Sequence, residues 1–217
     1  IICSFLNNKI ETKKIIFCVN GFLSSLNVKK KYCFPITLTA SMTRPLNSKE
    51  FEDIGSPNEW GVLPIKPMGA TIRLTKDKRI LIRNTAELKN SNYMKPNDLK
   101  NRIKLHKLGI KKRFPNLPEN IIENSWSGIV CRSGNSSQIF EKLDDCIYVA
   151  GCYNGSGIGV GTLFGEQIAI MASNQHSNEI NIIQDKKAPN RLPPQPFLNI
   201  GILTRLAYER LKARSEI

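Results

Sequence analysis

The chain has 217 residues and a mass of 24.5 kDa, which is enough for one large domain or two small ones. Hydrophobic residues make up 41% of it and charged residues 23%, which excludes a wholly disordered chain, and no apolar run approaches the ~20 residues that a transmembrane helix needs. Lysine and arginine total 32 against 18 acidic residues, and the net charge of +14 is typical of a protein that binds nucleic acid, an acidic membrane surface or an anionic ligand, or of a lysine-rich solvated surface.

The first half of the chain contains candidate strands. Residues 13–19 form a largely apolar run that is typical of a strand covered on both faces, and the run ends at the turn signal Asn20-Gly21. Within 35–42, apolar residues alternate with threonine and serine, which predicts a strand with one buried and one polar face. Residues 71–75 and 79–83 predict a hairpin with the turn Lys76-Asp77-Lys78 between its strands.

The second half mixes helices with short strands. Residues 96–114 predict a helix with Asn97 as its N-cap, one apolar stripe and lysines around the rest of its circumference. Such a basic helix leaves nucleic-acid binding open as an alternative function, although no aromatic residues accompany the charges to stack on bases. Further strands are predicted at 125–132 and 146–150, and further helices at 162–173 and 198–213.

The cysteines and histidines do not predict a metal site. None of the six cysteines forms a C-x-x-C pair, and the two histidines, His106 and His176, are far apart in the sequence. Several cysteines lie in apolar runs, which predicts buried, reduced thiols and a cytoplasmic protein. The chain begins with Ile1 rather than methionine, and residues 1–6 are too short for a secretory signal, so we expect a segment to be missing from its front.

The densest glycine segment, residues 151–161, follows the strand predicted at 146–150 and precedes a predicted helix. A strand, a glycine loop and a helix N-terminus together favour an anion or dinucleotide, because backbone amides approach the ligand and the helix dipole attracts negative charge. The spacing is not the Rossmann fingerprint, since Val160 or Thr162 stands where the third glycine belongs. A tight packing turn between strand and helix is the alternative interpretation.

Three sequence motifs in this order resemble the D-amino-acid oxidase-like family of FAD-dependent oxidoreductases, which includes glycine oxidase, sarcosine oxidase and gamma-glutamylputrescine oxidase. They are Asn20-Gly21-Phe22, Trp126-Ser127-Gly128 and the run from Ile147 to Ile158. The proline-rich stretch 189–196 is similar to the tail of the bacterial amine-oxidising members. The resemblance covers most of this chain but only the C-terminal half of the family pattern, whose N-terminal strand, GxGxxG loop and helix hold the ADP part of FAD.

The resemblance implies an α+β fold, made of the C-terminal half of a FAD-binding α/β domain and an antiparallel-sheet substrate domain. Residues 1–34 would end the first FAD-domain segment, 35–130 would form the substrate domain, 131–175 would return to the FAD domain, and 176–217 would form a C-terminal tail and helix. The partner that such a fragment needs is the missing N-terminal FAD-binding half.

The implied function is oxidation of a small-molecule amine or amino acid by hydride transfer to FAD, with an inactive truncated remnant as a further alternative. The cofactor-binding residues implied by the resemblance are Asn20, Gly21, Gly151, Tyr153, Asn154, Gly155, Ser156, Gly157, Ile158 and Gly159. Glycine oxidase carries a carboxylate-binding arginine where this chain has Val130, and Arg132 lies two residues further on. We therefore predict Arg132 and Trp126 as substrate-binding residues, with the catalytic residues unassigned.

Overall fold

The computed structural model describes residues 1–88 and 94–217, and the chain divides into two compact units. Unit 1 comprises Ile1–Ile36 and Val130–Pro194, and unit 2 comprises Thr37–Ile129 and Gln195–Ile217. The segment predicted as a C-terminal tail and helix, 176–217, is thus shared between the units.

The described part of the chain contains ten strands, a 3-10 helix and five α-helices. In order they are β1 (Ile2–Phe5), β2 (Asn8–Glu11), β3 (Ile15–Phe17), the 3-10 helix (Asn20–Leu26), β4 (Phe34–Thr43), α1 (Ser48–Asp53), β5 (Trp60–Val62), β6 (Thr71–Leu74), β7 (Ile80–Arg83), α2 (Pro96–Arg113), β8 (Ile122–Arg132), β9 (Ile139–Lys142), β10 (Ile147–Gly151), α3 (Gly157–Ala172), α4 (Asn178–Gln184) and α5 (Phe197–Lys212).

Unit 1 is built on a three-stranded sheet with the order β3-β10-β9, beside a small β1-β2 hairpin. β10 pairs in parallel with β3 and antiparallel with β9. Helix α3 packs on this sheet through apolar residues that include Phe164 and Ile168. At the other end of α3, the Lys14 ammonium donates to the Ala172 carbonyl and to Asn174 Oδ1, the latter at 3.1 Å, and so places a positive charge at the negative end of the helix dipole.

Unit 2 contains a five-stranded sheet with the order β5-β6-β7-β4-β8. The hairpin predicted around residues 76–78 is confirmed as β6 and β7, which pair from Thr71↔Arg83 to Leu74↔Ile80. One face of this sheet packs against α2. The hydrophobic core of unit 2 contains Leu46, Ala70, Ile72, Leu74, Ile80, Ile82, Ile110, Leu117 and Ile121.

The strand predicted at 35–42 with one buried and one polar face is β4, and its polar side is buried as well. Thr39 and Ser41 are 4% and 0% exposed, because this side of the strand faces α2. Their hydroxyl groups bond to His106 of α2, with 2.7 Å between Ser41 Oγ and His106 Nδ1 and 3.3 Å between Thr39 Oγ1 and His106 Nε2. Ser125 of β8 bonds to Ser41 at 2.7 Å, so the buried polar groups satisfy one another.

The predicted start of α2 at Pro96 is confirmed, whereas its N-cap and the start of α3 differ from the prediction. Helix α2 begins at Pro96 with Lys95 as its N-cap, because proline at the first helical position needs no amide partner, and Asn97 lies inside the first turn. Helix α3 begins at Gly157, five residues before the predicted start at Thr162. Glycine lowers helix propensity by about 1 kcal/mol per residue, and packing on the sheet outweighs that preference here.

Helix α1 has a capping box that gives a stability prediction. The Asn47 side chain accepts from the Glu50 backbone amide at 2.9 Å, and the Glu50 carboxylate accepts from the Asn47 amide at 2.9 Å. We expect Asn47→Ala to lower the free energy of unfolding by about 1 kcal/mol, measured by urea titration, because one amide of the first turn loses its acceptor. The neighbouring exposed Ser48→Ala serves as control, and equal midpoints for the two variants would contradict the prediction.

Candidate functional site

The parallel pairing of β3 and β10 brings two sets of predicted cofactor-binding residues together in unit 1. The first set is Asn20 and Gly21, and the second is the glycine segment that begins at Gly151. Val149 is paired with Phe17, so the carboxyl ends of the two strands lie side by side. The segment after β3 begins the 3-10 helix at Asn20, and the segment after β10 begins the glycine loop. Asn20 Oδ1 accepts from the Tyr153 backbone amide at 3.3 Å and joins the two segments.

Gly151 and Gly21 are buried at this junction. A Cβ atom on Gly151 would lie 2.7 Å from Leu23 Cδ1 and 3.4 Å from the Asn20 Cα, so no side chain fits between β10 and the 3-10 helix. Leu23 itself is fully buried. Gly151 therefore allows close packing of β10 on the 3-10 helix, which is the alternative interpretation given above for the glycine segment.

The loop between β10 and α3 has an unusual backbone. Cys152, Asn154 and Gly155 have φ angles of +57°, +54° and +101°. The Asn154 side chain holds the loop, since its Nδ2 donates to the carbonyls of Cys152 and Ser137 at 2.8 and 3.1 Å and its Oδ1 accepts from the Ser133 amide at 2.9 Å. Such conformations persist only where the surroundings fix them, and here these three hydrogen bonds do so.

The N-terminus of α3 is open. No described side chain caps the helix at Ser156, and its first turn contains no acidic residue. A Cβ atom on Gly155 or Gly159 would meet nothing within 4 Å, and Ile158 is 93% exposed. Backbone amides at the positive end of a helix, with no side chain in front of them, form a surface that a flat anionic ligand can approach closely.

Gly157 differs from its neighbours because it lies against the Tyr153 ring. A Cβ atom there would be 3.6 Å from Tyr153 Cδ2, and one on Gly161 would be 3.4 Å from Tyr153 Cε2. Tyr153 is 7% exposed and packs edge-on against Phe164, with 5.9 Å between ring centroids. Burial raises the pKa of Tyr153 to about 12, so the phenol stays neutral at neutral pH. Tyr153 therefore packs against the first turns of α3, and its predicted contact with the cofactor stays a prediction.

Three cysteines form part of the core beneath this loop. The thiols of Cys33, Cys131 and Cys152 interact with one another, and each is at most 1% exposed. Hydrogen bonds with Cys152 and Cys33, together with burial, raise the pKa of Cys131, which keeps its thiol protonated. The prediction of buried thiols holds for these three but was wrong for Cys18, which is exposed, and for Cys146, which is half-buried.

The two predicted substrate residues belong to different units. Trp126 lies on β8 in unit 2 and is 42% exposed, whereas Arg132 lies in unit 1 and is exposed. The Arg132 Nη1 donates to the Asn154 carbonyl at 3.3 Å, so it contacts the glycine loop. Val130, which stands where glycine oxidase has its carboxylate-binding arginine, is half-buried.

The family follows from a sequence comparison. The family model described as FAD dependent oxidoreductase (DAO) matches residues 5–171, which is more than half of the chain. The chain belongs to this family of FAD-dependent oxidoreductases. No curated protein sequence gives a significant match.

Solved structures of several oxidases and of a dehydrogenase have the same fold as this chain. Glycine oxidase from Geobacillus kaustophilus matches with a TM-score of 0.60 at 14% identity, covering 82% of this chain and 46% of that one. L-proline dehydrogenase from P. horikoshii gives 0.58 at 17% identity, covering 81% and 47%, and iminodiacetate oxidase from Chelativorans sp. BNC1 gives 0.60 at 14%, covering 79% and 45%. The predicted α+β fold class is confirmed, and the chain spans slightly less than half the length of these structures.

The residues of unit 1 fit the family's cofactor at the open end of α3. Gly155 and Gly159 leave space where a side chain would otherwise stand, and the helix N-terminus favours the negative charge that a reduced flavin carries. Gly151, Gly21 and Asn154 hold the loop that presents this surface. The structure thus separates the supporting residues of the predicted segment from its open ones.

Proposed function

We propose that this chain is the C-terminal part of an enzyme that oxidises a small amine or amino acid, with FAD as cofactor. The observation that carries the proposal is the open glycine surface at the N-terminus of α3, formed by Gly155 and Gly159. Membership of the family and the amine- or amino-acid-oxidising enzymes among the structural matches support the same class of reaction.

Each unit has its own role in this proposal. Unit 1 presents backbone amides and the helix dipole to the flavin, and unit 2 carries the sheet that binds substrate, with Trp126 among its contacts. FAD, when bound, supplies the acceptor for a hydride from the carbon next to the substrate nitrogen. The chain's residues contribute binding, orientation and the exclusion of water. We also propose a cytoplasmic location, because all six cysteines are free.

The structure does not favour the nucleic-acid alternative. The buried residues of α2 are His106, Gly109 and Ile110, which pack towards the sheet, while its lysines cover the remaining surface as on an ordinary amphipathic helix. None of the described helices combines the length and apolarity needed to cross a bilayer.

Replacement of Gly159 tests the proposed flavin surface. We expect Gly159→Val in the intact natural protein to lower flavin affinity at least about 100-fold, since a branched side chain would occupy the space through which the ring approaches the backbone. Flavin content is read from absorbance near ~450 nm, a property of the cofactor itself. The matched control is Gly165→Val, also in α3 and also with nothing within 4 Å of its Cβ position.

Two outcomes would count against the proposal. Full flavin content in Gly159→Val would show that the glycine loop only serves packing. Equal loss in Gly165→Val would show that valine destabilises α3 wherever it is placed. An intact natural protein that contains no flavin and binds none on titration would favour the inactive remnant or the nucleic-acid module, and the latter requires binding that weakens steeply with salt.

A further inference from the structure

The five-stranded sheet of unit 2 has a second face, opposite α2, that carries a row of polar and small residues. In an antiparallel sheet, directly paired residues lie on the same face. Thr71 pairs with Arg83, and Arg83 pairs with Ala40, so these three residues form one row across β6, β7 and β4. Arg73, Leu81 and Met42 form the next row. We refer to this side as the arginine face.

Trp126 lies on the same side of the sheet. Ser125, the residue before it, bonds to Ser41 and therefore points towards α2. Successive side chains of a strand point to opposite faces, so Trp126 points to the arginine face. The substrate residue predicted from sequence and Arg83 thus belong to the same surface of unit 2.

Arg83 differs from the other partly buried arginines of unit 2. Arg44 pairs with Glu50, Arg79 with Asp77 and Glu123, and both Arg102 and Arg210 with Glu87. Arg113 donates to two backbone carbonyls. Arg83 pairs with no acidic side chain among the described residues. Its guanidinium makes one hydrogen bond there, of 2.8 Å from Nη2 to Thr71 Oγ1.

A partly buried guanidinium with no counter-charge is costly. Burial lowers the pKa of Arg83, which is the direction expected when water is removed from a cation without an anion to replace it. A guanidinium has five N–H donors, and the hydroxyl of Thr71 takes one of them. Its cross-strand neighbours, Thr71 and Ala40, are too short to cover the remaining donors.

We propose that Arg83 binds the carboxylate of the substrate. The inference rests on the proposed function, and it makes the substrate an amino acid rather than a simple amine. A carboxylate would supply the missing counter-charge and would match the planar fork of the guanidinium with two parallel hydrogen bonds. Thr71 fixes the orientation of that fork through its hydrogen bond to Arg83 Nη2. Carboxylate recognition then lies on β7 instead of on β8, where this chain has Val130.

Binding of a redox-inert carboxylate tests Arg83 without relying on turnover. In the intact natural protein, we expect acetate to bind measurably by calorimetry and its uncharged isostere acetamide to bind at least about 10-fold more weakly, as charge-assisted hydrogen bonds predict. Arg83→Met should lose acetate affinity about 10- to 100-fold, and Arg83→Lys should retain part of it because charge remains while the fork is lost. Arg73→Met, on the next row of the same face, is the control and should bind acetate like the wild type.

The outcomes separate this inference from the proposed function. Flavin content by absorbance reports on the function, and acetate binding reports on Arg83. If flavin is bound but acetate binds equally to the wild type and to Arg83→Met, the inference is overturned and the function stands. If the wild type binds acetamide as tightly as acetate, the inference fails even where no variant folds. An equal loss in Arg73→Met would mean that acetate responds only to the general charge of the face, which also overturns it.

Discussion

Replacing Phe164 by alanine is expected to lower the free energy of unfolding by about 4 kcal/mol, the usual cost of removing a buried phenylalanine. Phe164 is 2% exposed and connects α3 to the sheet of unit 1. Its ring meets that of Phe140 at 5.2 Å and that of Tyr153 at 5.9 Å between centroids, both edge-on. Deleting it removes both aromatic contacts and leaves a cavity beneath the helix that follows the glycine loop.

Urea or thermal unfolding followed by circular dichroism measures this loss. Leu163→Ala is the control, because Leu163 is adjacent in α3 but 39% exposed, and we expect it to cost less than about 1 kcal/mol. Since α3 presents Gly159, flavin affinity in the intact protein should fall with Phe164→Ala and be unaffected by Leu163→Ala. A Phe164→Ala variant as stable as Leu163→Ala would show that α3 is not anchored by this ring.

The second large effect expected is a pH-dependent loss of stability caused by His106. Burial, with a smaller contribution from the charge of Arg102, lowers the pKa of His106 from 6.5 to about 4. Between these values the unfolded chain binds a proton that the folded chain does not. Stability is therefore fully present above pH 6.5 and is lost as the pH falls towards 4, by roughly 3 kcal/mol in total.

A series of urea titrations between pH 7 and pH 4 measures this dependence. His106→Gln keeps a side chain able to bond to Ser41 but does not titrate, so its stability should change less over this range. His176→Gln, at an exposed position, should follow the wild type. The Arg44–Glu50 pair affects only the acid end of the series, because the hydrogen bond with Arg44 lowers the pKa of Glu50 from 4.5 and its contribution begins to be lost only below pH 4.5. Parallel curves for wild type and His106→Gln would refute the role of His106.

Much of the framework followed from local patterns in the sequence. The apolar run before Asn20, the hairpin centred on residues 76–78 and the strand entering the glycine segment each lie where predicted. These elements are specified by residues close together in the chain, through alternation, turn propensity and continuous apolar runs. The short elements β1, β2, β5, β9, α1 and α4 were missed because a few residues carry too little periodic signal.

Other features arose only from contacts between distant residues. The alternation in β4 predicted one buried and one polar face, yet the polar face is buried too, because His106, more than 60 positions away, gives its hydroxyls partners. The early start of α3 runs against glycine propensity, because Tyr153 and Phe164 anchor that turn on the sheet.

The sequence by itself determined the strand–glycine loop–helix segment and the family resemblance, since both depend on contiguous residues. Only the tertiary structure decided which glycines pack and which are open: Gly151 faces Leu23, which lies 128 positions earlier, whereas Gly159 faces no described atom within 4 Å. It likewise decided that Arg83 has no counter-charge among the described residues, because pairing in a sheet and the burial of a charge are set by neighbouring strands rather than by neighbouring residues.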